Sequence, residues 1–262
     1  MKLLVAFIAA LTASAGVSSA AEISIRGDER CIRSDGVPDH PYGPFRARAS
    51  LRQQDTSFCF DASPVRTGRI TRDVQVSGVT LGGIPLRPGT AEFFDASSSR
   101  GFSRDRSSGW NVEGMGGVLR MDSQNAHVDQ NGMYHYHAVS NAVVASLNGT
   151  LFGYAADGFE IHYAGGRAVS GWQLKSGTRP TAPHGRYDGT YVEDYEFVAG
   201  SGNLDECNGA TVNGKYVYFA TDSYPFFPRC FKGTVSEDFM FTPGGGGGGE
   251  RAPRRGPRPR RG

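Results

Sequence analysis

The sequence lacks the common catalytic and nucleotide-binding signatures. It contains no Gly-x-Ser-x-Gly elbow, no phosphate-binding GxxxxGK[ST] loop, no EF-hand loop and no HExxH motif. The glycines of EGMGGVL do not have dinucleotide-binding spacing, and no βαβ pattern surrounds them. There are only four cysteines and no CxxC pair, the usual half of a cysteine-based zinc module. Any chemistry must come from a less familiar arrangement.

Long hydrophobic runs are also missing. The apolar stretch LLVAFIAALTA near the start is too short to cross a membrane, which takes roughly 20 residues, and no later run is longer. Residues 1–21 instead have the form of a secretory signal, in which Lys2 precedes the apolar stretch and the small residues SSAA follow it. Cleavage near Ala20 or Ala21 predicts a soluble protein without a transmembrane segment, either secreted or periplasmic.

The C-terminal residues 243–262 are glycine, proline and arginine with no large apolar side chain, so we expect a disordered tail. The tail has six arginines and one glutamate, and Lys2 adds a further positive charge. Since the whole chain carries +2, residues 22–242 carry −4. An acidic body argues against specific nucleic-acid binding, whereas the basic tail could make weak, salt-sensitive contacts with anionic envelope surfaces.

The cysteines Cys31, Cys59, Cys207 and Cys230 are an even set in a chain with an export signal, which favours disulfides. Three connectivities are possible. We favour the two local ones, Cys31–Cys59 and Cys207–Cys230, each worth about 3 kcal/mol in the chain-entropy model. Free or metal-binding thiols are the alternative.

Helical periodicity is weak, and short alternating runs rich in Val, Ile, Tyr and Phe recur between glycine turns. The pattern predicts a mainly β protein, a single loop-rich domain resembling a β-sandwich or two packed sheets. The best helix candidate is residues 140–147, which begin with a serine N-cap signal. We divide the body into a loosely structured N-terminal lead-in, residues 22–68, and the main domain, residues 69–242.

Two segments of the main domain repeat each other. GMYHYHA (residues 132–138) and GKYVYFA (residues 214–220) share Gly-x-Tyr-x-Tyr-x-Ala, and each follows an asparagine, which predicts a hairpin turn before a strand. Both copies keep the tyrosine face, so Tyr134 and Tyr136 should be packing residues. The other face carries histidines in the first copy but Val217 and Phe219 in the second, so burial alone does not explain the histidines.

His135 and His137 should project from one face of a strand because side chains alternate along it. The position of His127 depends on the turn. A two-residue loop at Asn131-Gly132 places His127 on the tyrosine face. A three-residue loop with Gly132 left-handed places it opposite His135, so that all three imidazoles converge.

Three converging imidazoles suit a transition metal, with copper or zinc preferred. The plainer interpretation is a polar strand face that binds nothing. Asp157 is a candidate oxygen ligand or a support for a ligating histidine, although Asp157-Gly158 is also an ordinary turn sequence. Tyr134 or Tyr136 could support the ligands through hydrogen bonds. We assign no role to His40, His162 or His184.

At the level of longer motifs, the chain resembles the YHYH-domain family over residues 79–234. The matching segments are LGGIPLRPGTAEFFD, NAHVDQNGMYHYHA, GYAADGFEIHY and the stretch from LKSGTRP to RCFKGT. The resemblance implies an exported, mostly bacterial protein without an established activity, and it supports the pairing of Cys207 with Cys230. Some members repeat Tyr-His-Tyr-His in the second copy. Here Val217 and Phe219 stand in its place, which leaves the first hairpin as the histidine cluster.

Two functions from different classes fit this sequence. The first is an exported metal-binding protein, with an enzymatic version if an open coordination position faces a cleft. No acid–base partner is identifiable for such an enzyme. The second is a non-catalytic surface-binding or adhesion module tethered by the basic tail. Its contact face would be aromatic, formed by Tyr191, Tyr195, Tyr216, Tyr224, Phe226 and Phe227.

Overall fold

The computed structural model describes residues 21–45, 49–72 and 74–240. The predicted signal residues 1–20 and the predicted tail 243–262 lie outside this part of the chain. Within it, no helix combines the length and the apolar character needed to cross a membrane.

The protein is mainly β, as the alternating runs predict. One α-helix, α1 (Asn141–Ser146), begins after Ser140, whose hydroxyl accepts a hydrogen bond from the backbone of Val143, so the predicted helix and its cap are confirmed. The strands of the described residues are β1 (Glu22–Arg26), β2 (Glu29–Ser34), β3 (Thr56–Asp61), β4 (Gly78–Thr80), β5 (Pro85–Leu86), β6 (Phe93–Phe94), β7 (Phe102–Ser103), β8 (Ala126–Val128), β9 (Tyr134–Tyr136), β10 (Leu151–Ala155), β11 (Glu160–Tyr163), β12 (Trp172–Leu174), β13 (Tyr195–Phe197), β14 (Gly209–Val212) and β15 (Lys215–Ala220). Short 3-10 helices occupy Gly165–Arg167, Val192–Asp194 and Glu237–Phe239.

The N-terminal segment is more regular than the sequence indicated. Strands β1, β2 and β3 form an antiparallel sheet in which Cys31 lies directly opposite Cys59, and the two form a disulfide. Ile32, Phe58 and Phe60 of this sheet are buried in the same apolar core as the main domain. The segment is therefore an integral layer of the fold, since its own strands supply part of the core.

The main sheet has eight strands in the order β14-β15-β11-β10-β4-β5-β9-β8. Its two halves repeat the same pattern outward from the centre: an antiparallel pair, a parallel step, then an antiparallel hairpin at the edge. The halves meet where β4 runs antiparallel to β10. The internal repeat seen in the sequence is therefore a repeat of half-sheets, and it places the hairpins β8–β9 and β14–β15 at opposite edges.

The centre of the sheet requires glycine. Gly78 of β4 and Gly153 of β10 lie where the two backbones pack closely, and a side chain at either position would overlap a carbonyl oxygen of the facing strand. The second disulfide, Cys207–Cys230, ties the loop before β14 to the chain after β15, so both predicted local pairings are confirmed.

Candidate metal centre

The hairpin β8–β9 turns through residues 130–132. The amide of Gly132 donates to the carbonyl of Asp129, and Gly132 has a φ of 79°, the left-handed conformation that glycine adopts readily. With this turn, His127 lies directly opposite His135. The three-residue alternative is thus confirmed, and the two-residue alternative, which places His127 among the tyrosines, is wrong.

The three imidazoles of this hairpin converge. The ring centres of His127 and His135 are 4.6 Å apart, and each lies 4.9 Å from that of His137. The Nε2 atoms of His127 and His137 are 3.1 Å apart. One nitrogen from each ring can be chosen so that all three lie within 4.8 Å of one another. We refer to His127, His135 and His137 as the histidine triad.

The triad is deep on one side and open on the other. His135 and His137 are 2% and 1% exposed, whereas His127 is only partly buried. Behind His137 lies the backbone of Gly114, so close that a β-carbon there would overlap the ring nitrogen Nδ1. His127 is therefore the member of the triad that solvent reaches.

Backbone contacts orient the buried rings. Nδ1 of His135 is 3.1 Å from the carbonyl oxygen of Met133, which can only accept, so Nδ1 carries the proton and Nε2 keeps its lone pair. Nδ1 of His137 is buried, and its contact with the backbone of Pro88 is too poorly aligned to be a full hydrogen bond. A buried nitrogen left without any partner costs about 1–3 kcal/mol, so this contact satisfies Nδ1 only in part.

Burial also holds both rings neutral. Desolvation lowers the pKa of His135 and of His137 well below its usual value near 6.5, and the positive charge of Arg87 lowers both further. Neutral imidazole is the form that binds metal ions.

The tyrosines of β9 lie on the opposite face of the sheet. The hydroxyl of Tyr134 donates to Asp122 at 2.8 Å, and that of Tyr136 lies 2.5 Å from Nε2 of His40. Both hydroxyls thus have partners on the far side of the sheet from the triad. The predicted supporting role of Tyr134 and Tyr136 is wrong because adjacent side chains of a strand point to opposite faces. The carbonyl of Met133 contacts the triad instead.

Comparison with known proteins adds one decisive match. The family model described as YHYH protein matches residues 57–233. This chain belongs to the YHYH protein family. No curated protein and no solved structure shows a significant match to it. The match begins inside β3, includes both edge hairpins, and ends after Cys230, so the YHYH domain contains the triad and the second disulfide.

The two edge hairpins of the YHYH domain share a supporting turn. Asp122 and Asn125 precede β8 as Asp205 and Asn208 precede β14, and both asparagines are left-handed, with φ of 58° and 64°. Each aspartate accepts hydrogen bonds from the second and fourth amides that follow it. Each also accepts from the first tyrosine of its hairpin, at 2.8 Å from Tyr134 and 2.9 Å from Tyr216. The tyrosine face is therefore structural in both copies.

The faces opposite the tyrosines differ. Ala210 lies opposite Val217 in the second hairpin, as His127 lies opposite His135 in the first. With Phe219, these residues pack into a small apolar cluster that includes Ala168 and Leu204. The second hairpin thus fills its outer face without polar groups.

The structure places Asp157 away from the triad. Its Oδ2 accepts hydrogen bonds from the hydroxyl of Tyr218 and the amide of Gly233, each at 2.8 Å. It sits in the turn between β10 and β11, and β10 is separated from β9 by β4 and β5. Three strand spacings are about 14 Å, which is too far for a ligand of the same ion. Asp157 therefore supports the second hairpin, and its assignment as a ligand is corrected.

The remaining histidines make local contacts. His162 lies between Glu160 and Thr150, with its ring nitrogens 2.9 Å from a side-chain oxygen of each. The backbone of His184 accepts from Arg179 in a loop. Neither belongs to the triad.

Sequence reasoning missed Arg87 and Gly114, which border the triad. Arg87 reaches it through the parallel pairing of β5 with β9, in which Leu86 lies opposite Tyr136. Gly114 lies in a loop outside the hairpins. Both contacts join residues more than 20 positions apart, and no local pattern marks such pairings.

Proposed function

We propose that this YHYH protein is an exported protein that binds one transition-metal ion, zinc or copper, through Nε2 of His127, His135 and His137. The observation that supports this most strongly is the convergence of three imidazoles, two of them buried, in a hairpin whose structural twin has only apolar side chains at the same positions.

The donor set fits such an ion. Zinc–imidazole bonds of about 2.0–2.1 Å in a tetrahedral site place ligand nitrogens roughly 3.3 Å apart. The separation of 3.1 Å between Nε2 of His127 and Nε2 of His137 is close to that value. The hydrogen bond of His135 to a backbone carbonyl is the kind of outer contact that fixes the tautomer of a metal-binding histidine. Three imidazoles without thiolate favour zinc or copper.

The cysteines and the predicted signal at the N-terminus support an exported location. Both disulfides suit an oxidising environment, as the export signal predicts. A metal held by three histidines keeps an open position, at which it can activate a water molecule or bind a ligand. An ion held by the triad would be closest to solvent beside His127, the partly exposed ligand.

The alternative, an adhesion module with an aromatic contact face, has little support. Tyr191, Tyr216, Tyr224 and Phe227 of the predicted face are all less than 10% exposed. Their rings pack inside the protein and cannot form a binding surface.

Elemental analysis of the protein purified from the periplasm of an expression host tests the proposal, together with titration of the metal-free protein with zinc and copper. We expect one equivalent of metal per chain. The variant His127→Ala/His135→Val/His137→Phe should bind none, because it copies the second hairpin. The matched control His162→Ala/His184→Ala should keep full binding. A wild-type protein that takes up neither ion, or a triad variant that retains it, would overturn the proposal.

A further inference from the structure

An ion pair crosses the face on which the triad lies. The guanidinium of Arg87 is 3.0 Å from the carboxylate of Asp129, and the two side chains are 14% and 16% exposed. Arg87 continues the pairing of β5 with β9, because its amide donates to the carbonyl of Tyr136. Since Leu86 lies on the tyrosine face, Arg87 belongs on the imidazole face.

The path of this ion pair brings it beside the metal ligands. Arg87 follows β5, Asp129 follows β8, and β9 lies between them. Asp129 shares its face with His127, two residues earlier. A bridge from Arg87 to Asp129 therefore passes over β9 on its imidazole face, beside His135.

The charges around the triad favour an anion. Three neutral imidazoles leave both positive charges of a divalent ion uncompensated. Within the described residues, the metal-binding cluster that contains the triad includes no carboxylate. The charged side chains that act most on His135 and His137 are cationic, Arg87 on both and Arg229 on His137. Arg229 is engaged with the buried Glu113, and Arg87 with Asp129 on the imidazole face.

We propose that the open position of the metal takes a small anion, best matched by a carboxylate, and that Arg87 holds its second oxygen. This inference rests on the metal site proposed above. The planar fork of arginine binds carboxylates through paired hydrogen bonds, which a lysine cannot reproduce. Asp129 then acts as the internal competitor, because it holds the same guanidinium when no anion is bound.

Azide is a suitable probe, since its binding to copper(II) produces a charge-transfer absorption that can be titrated. Copper(II) is used because nitrogen sites bind it most tightly among the divalent ions of this series. Wild-type protein, Arg87→Gln, Arg87→Lys and Asp129→Asn are loaded with copper, and the copper content and thermal unfolding of each are measured first. All four should hold one equivalent.

Substitutions of Arg87 and of Asp129 should change the affinity for azide in opposite directions. Arg87→Gln should weaken azide binding about tenfold, and Arg87→Lys should recover only part of it. Asp129→Asn should strengthen azide binding about threefold, because it removes the competing carboxylate. A purely structural ion pair predicts that both neutral variants lose stability and leave azide affinity unchanged. That outcome, with copper still bound, would overturn the anion site and leave the metal site standing.

Competition with azide identifies the kind of anion. Acetate should displace azide from the wild type and do so less well from Arg87→Gln. Displacement by phosphate or bicarbonate but not by acetate would overturn the carboxylate assignment. If none of the four proteins binds copper, the proposals of the metal site and of the anion site are both wrong.

Discussion

The two edge hairpins of the YHYH domain are the same structure with different outer faces. Each is entered through an Asp-x-x-Asn turn, and each buries a tyrosine pair against the core. One then presents three imidazoles, two of them deeply buried, and the other presents Ala210, Val217 and Phe219. The apolar set has no polar atoms to satisfy, whereas the histidines bring ring nitrogens into the buried face, and Nδ1 of His137 has no full hydrogen bond there. We infer that function retains them.

The largest expected effect on stability comes from introducing three histidines at the equivalent positions of the second hairpin. The variant Ala210→His/Val217→His/Phe219→His should lower the free energy of unfolding of the metal-free protein by roughly 3–9 kcal/mol. Each imidazole in the apolar cluster would leave a nitrogen unpaired, at about 1–3 kcal/mol each. Chemical denaturation measures the loss. A variant as stable as the wild type would show that buried histidines are not costly in this setting, and the contrast between the hairpins would lose its meaning.

The pH dependence of the stability of the metal-free protein should distinguish the histidine hairpin from the apolar one. The pKa values of His135 and His137 are lowered by burial, whereas both are near 6.5 in the unfolded chain. Below pH 6.5 the unfolded state therefore binds more protons, and the stability of the metal-free protein should fall as pH falls. Two protons give at most about 2.7 kcal/mol per pH unit, and the effect is absent above this window.

The triad variant His127→Ala/His135→Val/His137→Phe is the control for that series. Its unfolding free energy should lose this part of the pH dependence, measured by denaturation between pH 4.5 and 7.5, a range chosen to bracket about pH 6.5. An unchanged slope in the variant would assign the pH dependence to other groups.

A smaller effect is expected from Gly114→Ala. The added β-carbon would overlap Nδ1 of His137 and shift the ring. We expect metal affinity to fall about tenfold, about 1.4 kcal/mol. Calorimetric titration of the wild type and the variant measures it, and Gly166→Ala controls for a glycine substitution that meets no neighbouring atom. Equal affinities would mean that the loop of Gly114 does not position His137.

Asp157→Asn should have the smallest effect on the site. Asp157 accepts hydrogen bonds from Tyr218 and Gly233 in the half-sheet that lacks histidines. We expect a loss of about 1 kcal/mol in the free energy of unfolding and no change in metal stoichiometry or affinity. A loss of metal in this variant would restore Asp157 as part of the site.

Much of this organisation was predictable because it depends on local patterns. The β class, helix α1 with its Ser140 cap and the repeated hairpins follow from alternation and turn residues. The strand pairing of His127 depended on one further quantity, the loop length, which the sequence left open between two values. The conformation of Gly132 settled it.

Other parts could not be found this way. The order of the eight strands brings Arg87 beside His135 and keeps Asp157 distant, and this depends on pairings between segments far apart in the chain. The N-terminal strands were hidden because Pro and Arg dominate their surroundings, although Ile32, Phe58 and Phe60 pack into the shared core. Residues that contact the triad through the backbone, such as Met133, leave no side-chain signature.

X-ray absorption spectroscopy of the zinc- or copper-loaded protein tests the central claim most directly, because it reports which atoms bind the metal. The spectrum should show three imidazole nitrogens at about 2.0 Å and no sulfur. The triad variant should hold no metal and therefore give no such spectrum. A bound ion with fewer than two imidazoles, or one held by sulfur, would contradict the account.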